Sequence, residues 1–149
     1  MNQKMYRRLG FMGVLSFVSM YIFMYSMVNI FANVFNSYNQ FYMAMVMTAP
    51  MMVIDVLVMG SMYPNKKRNN LILGLSVVFL IVFFIFIRKQ TFIGDKQFLR
   101  SMIPHHAGAI LMCENASLED PQVKQLCKDI ISGQQAEINL MKSKLNELD

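Results

Sequence analysis

Apolar residues run almost unbroken through the first part of the chain, then give way after Ile87 to a spaced, periodic pattern. From Leu9 to about Phe31 only Ser, Tyr and Asn interrupt the apolar run, which is long enough for a hydrocarbon core of ~30 Å. Residues 32–40 form a short uncharged loop, and a second apolar stretch extends from about Phe41 to Tyr63. The basic turn PNKKRNN separates it from a third, Leu71 to Ile87, rich in Val, Ile and Phe. The pattern predicts a membrane domain over residues 1–90, with spans at about 9–31, 41–63 and 71–87. A secretory signal peptide also starts with basic residues and an apolar run, but this run is too long and no small-x-small cleavage site ends it.

After Thr91 the pattern becomes that of a water-facing helical domain, 91–149. Asp95 caps a predicted helix over about 95–116, SLEDP makes a turn, and Asp120 caps a second helix over about 121–148 with Pro121 at its first position. Val123, Cys127, Ile130, Gln134, Glu137, Met141, Leu145 and Leu148 recur at spacings of three and four, which predicts the packed seam of that helix. Folded antiparallel about 117–120, the pair places the histidines beside residues 130–134 and Met102 near Gln134 and Glu137. The fold class is therefore all-α: three spans followed by a two-helix hairpin. Such a hairpin buries little surface alone, so pairing into a four-helix bundle, as a homo-oligomer in the bilayer, is expected.

Composition and charge then set orientation. The chain has 149 residues, is 55% hydrophobic and only 15% charged, too apolar for a soluble protein of this size. Lys4, Arg7 and Arg8 precede the first span, Lys66, Lys67 and Arg68 follow the second, and the loop between those spans has no Lys or Arg. Basic flanks stay cytoplasmic, so the N-terminus is expected in the cytoplasm and the C-terminal domain outside it. Arg88 and Lys89 oppose this, two charges against six. Basic residues confined to such short runs leave no nucleic-acid footprint.

The candidate chemistry centres on FLRSMIPHHAGAILMCE, residues 98–114, which holds both histidines. On a helix, Met102, His105, His106, Ala109, Met112 and Cys113 share one broad face. Imidazole, thioether and thiol together are ligands that soft metals select, copper(I) above all. Met and Ala at helical spacing also build ordinary cores. Pro104 removes a backbone hydrogen bond and predicts a bend that sends the two histidines in different directions. Gln134 and Glu137 interrupt the opposite seam, where they can satisfy an imidazole or share its metal. Cys113 and Cys127 count about one helical turn out of register. A disulfide, an extra ligand at Cys113, or two small core residues remain open. No Glu-x-x-His pair, His-Glu-x-x-His, phosphate loop or catalytic-cysteine context is present, so an enzyme is not expected.

A second constellation lies in the second span, where Met43, Met47, Met51, Asp55, Met59 and Met62 form one stripe. An acid at membrane depth is costly and by default functional. A thioether-lined ion path is one reading. Met packing, with Asp55 bonded to Ser16, Ser19 or Asn29, is the other.

Met102, Pro104, His105 and His106, followed by Gln134, Glu137, Ile138 and Met141, resemble the Met-x-Pro-His-His and Gln-x-x-Glu-Ile-x-x-Met segments of the bacterial family catalogued as domain of unknown function 305. The match covers about 95–148, and MGSMYPNKKRN is similar to its membrane-anchored members. The resemblance implies a ferritin-like helical hairpin, often in copper-handling contexts, at a bacterial inner or plasma membrane. The resulting expectation is copper(I) sequestration, delivery or tolerance, with copper-handling proteins as partners. His105, His106 and Met102 are the ligands, with Met112, Met141, Glu137 and Cys113 secondary and Gln134 supporting. The alternative is a metal-free structural module that assembles oligomers or docks a partner.

The charge pattern makes a direct prediction. A reporter active only outside the cytoplasm should work when fused after Asp149 and be silent when inserted at Asn65. The reverse pattern would invert the topology.

Overall fold

The computed structural model describes residues 2–148, apart from the Asn2 side chain. Met1 and Asp149, the outer ends of the two predicted domains, lie outside the described residues. Among the described residues all regular structure is helical: α1 (Asn2–Phe23), α2 (Tyr38–Val58), α3 (Lys66–Lys89), α4 (Asp95–Asn115) and α5 (Pro121–Leu148), joined by short 3-10 turns. The chain divides into two compact units, residues 1–23 with 39–91, and residues 24–38 with 92–149.

The first unit holds α1, α2 and α3. Three segments, Gln3–Met27, Tyr38–Val58 and Lys66–Lys89, are long and apolar enough to cross a membrane. Helix α2 buries Tyr42, Ala49 and Val56, each two turns from the last, with Ala44 and Thr48 beside them. Pro50 lies inside α2. Thr48 turns its hydroxyl back to the Ala44 carbonyl at 2.7 Å, which satisfies a polar group without a partner helix. Leu9, Val56 and Tyr63 form the buried cluster near one end, packed by Met5, Tyr6, Met12, Met52, Ile72 and Leu73. Tyr6 reaches across to the turn before α3, donating to Asn69 Oδ1 at 2.8 Å, while the Arg68 guanidinium lies 5.5 Å from its ring centre. The two basic clusters therefore occupy the same end of this unit. Helix α3 ends at Gln90, which adopts a left-handed conformation with φ 50°. Its side-chain amide is fixed there by Asn39 and the Ile87 carbonyl.

The second unit takes in residues 24–38, the first four of which also end the apolar segment Gln3–Met27. Helix α1 stops at Phe23, and residues 24–38 belong with α4 and α5 rather than with the apolar helices. Val28 and Phe35 pack on the core of Ile103, Ala107, Ile110, Ile138, Met141 and Leu145. The polar residues that interrupt this stretch explain the difference, because they close local bonds. Asn29 Oδ1 accepts from the Ile30 amide and from Asn33 Nδ2, each at 2.8 Å, and Tyr25 donates to the Phe35 carbonyl at 2.9 Å. Gly108 is needed here: a Cβ would come within 3.3 Å of the Met27 carbonyl oxygen.

Helices α4 and α5 begin where the sequence places them, with one change of cap. Gly94 is the N-cap of α4, and Asp95 is its first residue, where an acid favours the helix dipole. Asp120 caps α5 as expected, accepting from the Gln122 and Val123 amides at 2.8 and 2.9 Å. Most of the predicted seam of α5 is found: Met141 and Leu145 are buried and Cys127, Ile130 and Gln134 half-buried, while buried Ile138 stands beside exposed Glu137, and Val123 and Leu148 at the two ends are exposed. Ile138 is fully buried, so Ile138→Ala should lower the stability of this unit by ~2–5 kcal/mol. Thermal unfolding of the full chain in neutral detergent, followed by helicity, checks this. Leu126→Ala on the exposed face should change it far less.

Candidate metal centre

Helix α4 places its two histidines differently. His105 is exposed, while the His106 side chain keeps only 13% of its accessible surface. Their ring centres are 6.1 Å apart with planes inclined by 59°. Adjacent helical positions point about 100° apart, and this alone separates them. Pro104 sits within α4, which continues through it.

His106 Nδ1 lies 3.0 Å from Glu137 Oε2. The approach is off the direction an imidazole N–H needs, so the buried nitrogen has no aligned hydrogen-bond partner. Glu137 remains 57% exposed. This pairing shifts the predicted register by about a turn: His106 meets Glu137 instead of residues 130–134. One turn before His106 stands Met102, and one turn after Glu137 stands Met141. In an antiparallel pair these two share the next level. Met102 indeed packs on the cluster that contains Met141, which is buried. Imidazole, carboxylate and two thioethers thus come to adjoining levels of one seam, with half-buried Gln134 nearby in sequence.

The remaining nominated ligands are placed elsewhere. Cys113 and Cys127 form a disulfide, their Cα atoms 5.2 Å apart. This corrects the count that put them a turn out of register and removes Cys113 as a ligand, since a bridged sulfur has no thiolate to offer. Met112 is 55% exposed and belongs to no part of the core. Among the described residues no three His, Cys, Asp or Glu side chains converge. A metal held within one chain must therefore draw on the thioethers. Imidazole and thioether are donor types that soft ions select, and His106, Met102 and Met141 are the residues of this seam that carry them.

In the other unit the methionine stripe faces outward. Met43, Met47 and Met59 are exposed and Met51 is half-buried, so this chain alone encloses no thioether path around Asp55. Asp55 is bonded to Tyr63 Oη at 2.8 Å rather than to Ser16, Ser19 or Asn29. Burial pushes the Tyr63 phenol, in the turn after α2, up to about 12, with the Asp55 hydrogen bond adding to the shift. It therefore stays protonated and donates to the carboxylate. Sequence spacing missed this partner because it lies in an irregular turn beyond the helix end.

A family model described as Domain of unknown function (DUF305) matches residues 88–145, the segment that carries α4 and most of α5. Uncharacterized protein L153 of Acanthamoeba polyphaga mimivirus is 40% identical over 143 residues, covering 91% of this chain and 90% of that protein. The chain belongs to the DUF305 family. The likeness to the viral protein extends well past the DUF305 segment into the apolar helices, so both units are shared. That relative is viral, whereas the motif resemblance pointed to bacteria. No solved structure matches.

The disulfide carries a prediction of its own. The unfolded, unreduced chain should take up no thiol-alkylating reagent by mass, and the reduced chain should take up two equivalents, one per cysteine. Free thiol in the unreduced chain would return Cys113 to the ligand set.

Proposed function

We propose that this protein is a membrane-anchored copper-binding protein that sequesters or delivers the ion rather than turning over an organic substrate. The observation that carries this is His106 Nδ1, buried without an aligned partner and 3.0 Å from Glu137. His106, Met102 and Met141 would hold copper(I), Glu137 would supply compensating charge, and exposed His105 would hand the ion to a partner or a second chain. Bound copper supplies a soft, exchangeable cation; the chain's part is to select it with thioethers and shield it from water. The apolar helices would anchor the protein with both basic clusters on the cytoplasmic side. The α4–α5 pair would then lie in the compartment where a disulfide persists.

A metal-free assembly module is the second reading. Its support is that Val123, Leu126 and Leu140 stay exposed on α5, apolar surface that self-association would cover.

The test is a thermal melt of the full chain in neutral detergent, with and without copper(I) kept reduced by ascorbate, which is too weak a reductant to open a structural disulfide. A ligand that binds only the folded state must raise stability. His105→Ala with His106→Ala should abolish the shift. Met102→Leu and Met141→Leu should each weaken binding about tenfold while preserving volume, and Met112→Leu should leave it unchanged. No shift in the unsubstituted chain, with no copper retained against a weak chelator, would leave the assembly module.

A further inference from the structure

We propose that the α1–α3 unit binds one anionic phospholipid, its phosphate on Lys4, Arg7 and Arg8 and an acyl chain in the cavity beside Gly10 and Gly13. This rests on the reading that these helices lie in a bilayer. The cavity, about 450 Å³, is bounded by all three helices, including Gly10, Gly13, Phe17, Thr48, Ile72 and Ser76. That volume falls in the ~300–1,000 Å³ range of ligand sites, and its walls are almost wholly apolar. Water gains little from such a space; in a bilayer the abundant apolar occupant is an acyl chain.

The cavity does not end in hydrocarbon. An open depression along α1 begins at Lys4, Arg7 and Arg8 and continues past Phe11 and Leu15. Gly10 and Val14 border both spaces, so the cations and the apolar cavity adjoin. Tyr6 brings Lys66, Lys67 and Arg68 to the same end through Asn69 and the Arg68 contact. Before Asp95 the sequence has a single acid, Asp55, and its carboxylate is engaged by Tyr63. The end is therefore strongly positive, which favours an anionic headgroup over a zwitterionic one.

The two glycines separate packing from vacancy. At Gly13 a Cβ would stand 2.9 Å from Met52 Sδ, so that glycine admits a neighbouring side chain. At Gly10 a Cβ would meet nothing within 4 Å. Helix packing in this chain does not need Gly10, which lines both the depression and the cavity.

The experiment is native mass spectrometry of the full chain released from neutral detergent, titrated with phosphatidylglycerol and with phosphatidylcholine of the same acyl chains. One phosphatidylglycerol should be retained at least tenfold more strongly than phosphatidylcholine. Gly10→Leu should reduce its retention about tenfold at unchanged helicity. Arg7→Gln with Arg8→Gln should bring it down to the phosphatidylcholine level, and this pair lies clear of the helix packing. Equal binding of both lipids, or full retention by both variants, would overturn the proposal. Resistance of the membrane-bound chain to alkaline carbonate is measured in parallel. A chain released by carbonate would overturn the bilayer reading and this one together, whereas a resistant chain without lipid preference overturns this one alone.

Discussion

The register between α4 and α5 is the constraint on which the candidate centre depends. Two antiparallel helices can slide by a turn and still bury apolar side chains, because Leu, Ile and Met are nearly interchangeable by volume. The Cys113–Cys127 bridge allows no such slide. From that level His106 stands seven residues back along α4 and Glu137 ten residues on along α5, their side chains 3.0 Å apart, and Met102 and Met141 lie one turn further along each helix. Ile103, Ile110 and Ile138 are fully or almost fully buried along the same seam. They make the slide costly even before the bridge forms.

Residues 24–38 complete that seam. The helix pair alone would expose one side of its core, and Val28 and Phe35 cover part of it. Gly108 allows the Met27 backbone to come close. Asn33 is buried in this stretch and held by Asn29, so the segment is a folded part of the unit rather than a passive loop.

In the apolar unit the governing constraint is different. Polar groups among apolar side chains find partners within the chain, because burial without a hydrogen bond is costly. Thr48 bonds its own helix, Asp55 takes the Tyr63 hydroxyl, and Gln90 with Asn39 closes the far end of α3. The first two solutions are close in sequence and the third joins residues 51 apart. The methionine stripe had the spacing of a pathway, but the buried face of α2 belongs to Tyr42, Ala49 and Val56.

The sequence by itself determined the class of structure: all-helical, with three apolar stretches and a helix pair whose start and stop signals are Pro121, Asp120 and the turn before it. It also indicated that the histidine pair and the polar interruption at Gln134 and Glu137 face one another across the hairpin. Those features are local, written in hydropathy period and capping chemistry. Sequence alone left open the register, the disulfide, the partner of Asp55 and the role of residues 24–38. Counting outward from a turn assumes that both helices meet at equal distance from it, and an error of one turn exchanges one set of neighbours for another. The stretch from Met24 to Phe31 is apolar enough for a membrane and for a protein core alike, since both reward the same side chains. The tertiary structure supplied the packing of Val28 and Phe35 against α4 and α5, because burial depends on what lies opposite and not on the residue buried.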